Sequence, residues 1–201
     1  MNRLSKKLDE LKKQNKKALV AYLVAGDPDL DSTLDIMHMF VKSGVDVIEV
    51  GVPFTDPIAE GPIIQRAHDR AITKKTSLED IFKLITKFRL KDDETPIVLM
   101  GYLNAFIFFR HLIEENKNNS VDSILVVDIP GELNIADYGI KNENINTISL
   151  ISPTTKADRI KSIANNSSGF IYYVTLRGVT GSSNLNVEEI SQNIKEIKKY
   201  A

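Results

Sequence analysis

The sequence contains no cysteine. Disulfides, thiolate metal sites and a cysteine nucleophile are therefore excluded, and a reducing compartment is the natural setting. It has no apolar run long enough to cross a bilayer and no apolar segment of signal-peptide type near its N-terminus, so a cytoplasmic protein without membrane contact is expected. It has no excess of one charge. The formal net charge is −1, with lysines and acids scattered, so no nucleic-acid footprint is present. His38, His68 and His111 show no metal-ligand spacing; all three fall in helical patterns and read as surface or packing residues, and no metal is expected. No composition break or low-complexity linker divides the 201 residues, which implies one domain over 1–201.

What is present is ordinary globular material, 42% hydrophobic and 26% charged, arranged as short apolar runs alternating with helical patterns. The strand-like runs are Ala18–Ala25, Asp46–Val52, Pro96–Leu103, Asp122–Ile129, Asn146–Ser152 and Gly169–Thr175. Between them Leu34/Met37/Val41, Ile81/Leu84/Ile85/Phe88 and Val187/Ile190/Ile194/Ile197 keep the 3.6-residue period. Thr76 with Glu79, and Asn186 with Glu189, fit helix starts. Further helices are expected over 63–72, 106–119 and 132–141. Lys6–Lys17 is locally basic, but its acids and the spacing of Leu4, Leu8 and Leu11 make it a solvated amphipathic helix.

Strand–helix alternation without hairpin signals specifies a parallel sheet, and continuous apolar strands imply that both faces are covered. A Rossmann sheet would need a glycine cradle after the first strand, where this chain reads AGDPDLD. The expected fold is therefore an α/β, (β/α) TIM-type barrel with its chemistry at the C-terminal strand ends. About six βα units are found against the eight of a closed barrel, so a C-terminally short barrel with two parallel edges is expected.

One segment stands apart: VDVIEVGVPFTDPIAEGPIIQRA at Val45–Ala67. Glu49 sits inside an otherwise apolar strand, and Glu60 follows in a Pro/Gly-punctuated loop beside Asp56. Alternation puts Val45, Val47 and Glu49 on one strand face and Ile48 and Val50 on the other. A carboxylate there either pairs with a lysine or arginine or performs chemistry, because burying an unpaired charge is costly.

The chain resembles the tryptophan synthase α subunit family along nearly its whole length. The matching pieces are AYLVAGDPD (Ala21–Asp29), VIEVGVPFTDPIAEGPIIQRA (Val47–Ala67), LMGYLN (Leu99–Asn104), ILVVDIP (Ile124–Pro130), LISPTT (Leu150–Thr155) and YYVTLRGVTGS (Tyr172–Ser182). The resemblance implies a TIM barrel that cleaves indole-3-glycerol phosphate to indole and glyceraldehyde 3-phosphate by a retro-aldol reaction. It also implies an α2β2 assembly with a β subunit, which holds pyridoxal phosphate; no cofactor is implied in this chain.

By the same resemblance Glu49 is the catalytic glutamate, and desolvation in the barrel should raise its pKa toward neutrality. Glu60 stands where the family most often has the aspartate that accepts the indole N–H, one methylene further out, so its loop must retreat. Tyr22, Met100, Leu125, Val127 and Tyr172 match positions lining the indole pocket; an inward core role explains them equally well. Thr180 matches a contact to the second carboxylate, or is an ordinary turn threonine. Asp56 and Pro57 match the contact to the β subunit, or merely turn the loop. Asp128 and Pro130 end the fourth strand. Gly181 supplies one phosphate-binding turn, while the family's two later turns have no counterpart within 1–201. At about 1.5–3 kcal/mol per charged hydrogen bond, their loss implies at least ~3 kcal/mol, roughly a hundredfold, in substrate binding. A second reading follows: an impaired or non-catalytic partner that binds and activates a β subunit.

Overall fold

The computed structural model describes residues 2–116, 120–175 and 186–200. Within these, six parallel strands run in sequential order: β1 (Val20–Val24), β2 (Val47–Gly51), β3 (Ile97–Gly101), β4 (Ser123–Val126), β5 (Asn146–Ile151) and β6 (Ile171–Tyr173). Every pairing is parallel, with Tyr22 opposite Glu49, Glu49 opposite Val98, Met100 opposite Leu125, and Leu150 opposite Tyr172. The sheet curls into part of a barrel with helices outside. The expected (β/α) architecture and its six units are observed.

Period-two alternation sorts the strand residues into two layers. Ile48, Val50, Ile97, Leu99, Ile124 and Val126 form the outer core with Met37, Ile81, Ile85 and Phe88. The last four come from α2 (Leu30–Lys42) and α4 (Leu78–Arg89). Val47, Val98, Leu125 and Ile148 face inward and cluster with Leu4. Leu4 belongs to α1 (Arg3–Lys13), which starts earlier than expected and is capped by Asn2 accepting from the Ser5 N–H. The apolar stripe of α1 is thus not solvated: Leu4 is fully buried and Leu8 packs beside it, closing the N-terminal end of the strands.

Several local expectations need correction. Val45 precedes β2 and packs with the outer layer, not beside Val47. The capping box lies one residue later, at Ser77 and Asp80, because their side chains meet each other's backbone N–H groups. The helix expected over 106–119 is two short ones, α5 (Leu103–Phe108) and α6 (Arg110–Glu115), parted at Phe109. The stretch 132–141 holds only a 3-10 turn, Ile135–Tyr138, ended by Gly139 at φ 80°. By contrast Asn186 accepts from the N–H groups of Glu188 and Glu189, opening α8 (Val187–Ile197) as its pattern predicts. His38 stacks on Phe88 at 4.8 Å and His111 is exposed, as expected of packing and surface residues.

The strand N-termini are tied by an ion network. Arg89 donates to Asp122 (3.0 Å) and to the carbonyls of Ser120 (2.9 Å) and Thr95 (2.7 Å), while Asp122 also accepts from the Ile97 N–H at 2.9 Å. Burial holds the guanidinium down to about 10 and the Asp122 carboxyl above its ordinary value, pairing notwithstanding. A cavity of about 630 Å³ at this end is walled by Arg3, Arg89, Asp93 and Asp122, all engaged in this network. Arg89→Met should destabilise the fold by about 3–5 kcal/mol, because it leaves Asp122 buried without its main cation. Urea unfolding measures this; a loss below ~1 kcal/mol would contradict the assignment.

Candidate active site

At the other end of the sheet the segment after β2 builds a compact carboxylate pair. Glu49 lies on the inner face of β2 and is only 4% exposed. Among the described residues no donor and no cation reaches its carboxyl group. Burial, and then the charge of Glu60, push it up to about 7. This is the desolvated carboxyl that the family resemblance implies, and not one paired with a lysine or arginine.

The loop that follows turns at Asp56–Pro57, where the Ile58 N–H reaches the Asp56 carbonyl (2.8 Å) and the Glu60 N–H reaches that of Pro57 (3.1 Å). Gly61 and Pro62 then open α3 (Pro62–Thr73), Pro at the first helical position being preorganised for it. The loop places Glu60 inside, 4% exposed. Tyr102 Oη donates to Glu60 Oε2 at 2.5 Å and accepts from the Ala59 N–H at 3.0 Å. The ring of Tyr102 stacks on Phe54 at 4.5 Å. Burial and the bond to Glu60 both raise the Tyr102 pKa, so it remains a donor.

His68 completes the surround. Of the two sequence readings, surface or packing, His68 takes the second: it is 1% exposed, with Nε2 3.7 Å from Glu60 Oε1 and 3.5 Å from Tyr22 Oη. Its Nδ1 lies 3.2 Å from the Phe54 N–H, which can only donate. The neutral ring therefore carries its proton on Nε2, facing Glu60. His68 shares the inward stripe of α3 with Ile64, Ala67 and Ala71, which pack on β1. That phase was available in the sequence. Tyr102 follows Met100 by two, another alternation signal that marks it as inward.

Tyr22 lies in register with Glu49, its hydroxyl crossing β2 where a Cβ on Gly51 would come within 2.3 Å of it. Glycine at 51 is what lets this ring lie there. Burial raises the Tyr22 pKa, and the charges of Glu60 and Glu49 raise it further. Tyr172 on β6 is 37% exposed and is raised by burial and by Glu49. Leu125 is buried inward, with Met100 and Val127 packed beside it. Asp128 accepts from the Leu103 N–H at 2.8 Å, fastening the end of β4 to the start of α5. Asp56 is exposed and accepts from its neighbour Thr55 at 2.8 Å, while Pro57 is buried. Thr180 and Gly181 lie outside the described residues.

The site thus contains one carboxyl without donors and one with them, walled by tyrosines and apolar side chains. Such a pair can hold a proton on the first group while the second accepts a hydrogen bond from a ligand. The described residues contain no group of three or more acidic or histidine side chains able to hold a metal ion, and no helix long and apolar enough to cross a membrane.

The family model described as tryptophan synthase alpha chain matches residues 8–201. The tryptophan synthase alpha chain of Thiobacillus denitrificans is 43% identical over 204 residues, covering 100% of this chain and 74% of that protein. The crystal structure of tryptophan synthase subunit alpha from Legionella pneumophila superposes with a TM-score of 0.89 at 36% identity, covering 100% of this chain and 75% of that one. A tryptophan synthase α2β2 complex structure from Pyrococcus furiosus gives a TM-score of 0.80 at 36% identity, covering 92% and 75%.

The carboxyl at Glu49 carries a stability cost whose sign is fixed. Its folded value of about 7 exceeds the ordinary 4.5, so the fold favours the protonated form. Stability falls as pH rises from about 4.5 to 7 and the full cost is present above that, about 3 kcal/mol. Glu49→Gln should therefore stabilise the protein by up to ~3 kcal/mol at pH 8 and by almost nothing at pH 4. Equal effects at both pH values would contradict the burial of an unpaired acid.

Proposed function

This chain belongs to the tryptophan synthase alpha chain family, and we propose that it cleaves indole-3-glycerol phosphate to indole and glyceraldehyde 3-phosphate as a carbon–carbon lyase. The observation that carries this reading is the asymmetry of the carboxyl pair. Glu49, at about 7, is available as an acid near neutral pH and becomes a base once its proton has left.

In the reaction Glu49 gives its proton to indole C3. The ring nitrogen becomes iminium-like, and its N–H is accepted by Glu60, held from behind by Tyr102. The Glu49 carboxylate then takes the proton of the hydroxyl on the carbon attached to C3. As that hydroxyl becomes the aldehyde carbonyl, the carbon–carbon bond breaks and its electron pair restores the aromatic ring. Protons balance: one moves from Glu49 to carbon, one from the hydroxyl to Glu49. Tyr22, Met100, Leu125, Val127 and Tyr172 form the walls that keep the indole dry. By the family resemblance, Thr180 acts on the second carboxylate and Gly181 takes up phosphate; both lie outside the described residues.

We assign Asp56 and Pro57 to the contact with a tryptophan synthase β subunit, in an α2β2 assembly whose pyridoxal phosphate belongs to that partner. The same rim exposes Ile58 (75%), Phe108 (75%) and Leu133 (43%), apolar side chains that follow the C-terminal ends of β2, β3 and β4. Exposed apolar groups on segments that follow successive strands suit a protein interface better than solvent.

Glu49→Gln should lower indole formation by about 10²–10⁴ with the fold intact, measured as indole released with and without added β subunit. Equal release by mutant and wild type would remove Glu49 from its role. Asp56→Ala should blunt the rise in rate on adding β subunit while leaving the KM of the isolated chain unchanged. An undiminished response would refute the interface assignment.

A further inference from the structure

We propose that His68 is a positioning residue that sets the plane of the Glu60 carboxylate through Nε2–H, a role that rests on the lyase reading above. Glutamate has three rotatable side-chain bonds, so one anchor on its carboxylate leaves the plane of the group free to turn. Tyr102 Oη fixes Oε2 at 2.5 Å. Oε1 faces His68 Nε2 at 3.7 Å, just beyond hydrogen-bond length, in a site where His68 is 1% exposed and Glu60 4%. A small turn about the last Glu60 torsion closes that gap, and catalytic contacts commonly tighten when ligand binds. The two donors then grip opposite oxygens, and the remaining lone pairs point to the space shared with Glu49.

The imidazole can do this only in one tautomer. The Phe54 N–H, 3.2 Å from Nδ1, selects it, because a backbone amide can only donate. Phe54 also stacks on Tyr102. One loop residue therefore orients both groups that hold Glu60. Tyr22 Oη lies 3.5 Å from the same Nε2 and is the oxygen that the turn of Glu60 would have to displace as partner.

Two substitutions separate holding Glu60 from holding the loop. His68→Gln places an N–H near the Nε2 position, whereas His68→Asn keeps a side-chain acceptor near the Nδ1 position and offers no donor to Glu60. Wild type and both variants are compared by kcat and KM for indole formation, with thermal unfolding run alongside. The expected result is a kcat within threefold of wild type for His68→Gln. For His68→Asn the expected result is a loss of at least tenfold in kcat, with KM changed less than threefold. The reverse order, or two equally impaired variants, overturns the proposal, since either assigns His68 to loop anchoring alone.

The tautomer itself is read from the ¹⁵N chemical shifts of the His68 ring in the folded wild-type protein. A protonated Nε2 with an unprotonated Nδ1 supports the proposal, and the opposite tautomer overturns it even if either variant fails to fold. A wild type that makes no indole refutes the lyase reading instead, and the ring shifts still decide whether His68 presents its proton to Glu60.

Discussion

The structure turns on one unpaired acid. Glu49 is buried on the inner face of β2 with neither cation nor donor among the described residues, and its neighbour across the space is a second carboxylate. Nothing in folding favours this arrangement, since desolvation and like charge both act against the ionised form. A buried acid of purely structural purpose would have a partner, as Asp122 has in Arg89 and the Ile97 N–H at the opposite end of the sheet. The contrast between these two acids separates the end of the barrel that holds the fold together from the end that carries the unpaired carboxyl.

Everything around Glu49 keeps it dry without neutralising it. Gly51 admits the Tyr22 ring, and α1 fills the floor of the strands with Leu4. Glu60 takes the hydrogen bond of Tyr102, and His68 Nε2 lies 3.7 Å from its other oxygen. Two like residues in adjoining surroundings thereby differ in hydrogen bonding, one held by a tyrosine hydroxyl and the other by no donor among the described residues. The loop that carries Glu60 also carries the exposed Asp56 and the buried Pro57, and its Ala59 N–H rests on the hydroxyl that holds Glu60.

Much of this was legible in the chain, because strand alternation is a strong signal. The period of two placed Glu49 beside Val47 and opposite Ile48 and Val50, and the structure agrees. Apolar continuity gave six parallel strands with boundaries within about three residues. The failures share a cause. The stripe that His68 shares with Ile64, Ala67 and Ala71 is legible as helix phase, but that it meets Glu60 is decided by the packing of α3 on β1. Helix periodicity also overran Phe109 and supplied a helix at 132–141, where the backbone closes only a 3-10 turn. The cap at Ser77 was missed because Thr76 offers the same chemistry one residue earlier, and side-chain geometry alone chooses between them.

The account stands on the proton of Glu49, and its titration tests that most directly. With ¹³C-labelled glutamate, the Glu49 carboxyl resonance should titrate with a midpoint near 7, falling toward the ordinary range when Glu60→Gln removes the neighbouring charge. A midpoint of about 4–5 in the unaltered protein, the value of a solvated glutamate, would contradict the account.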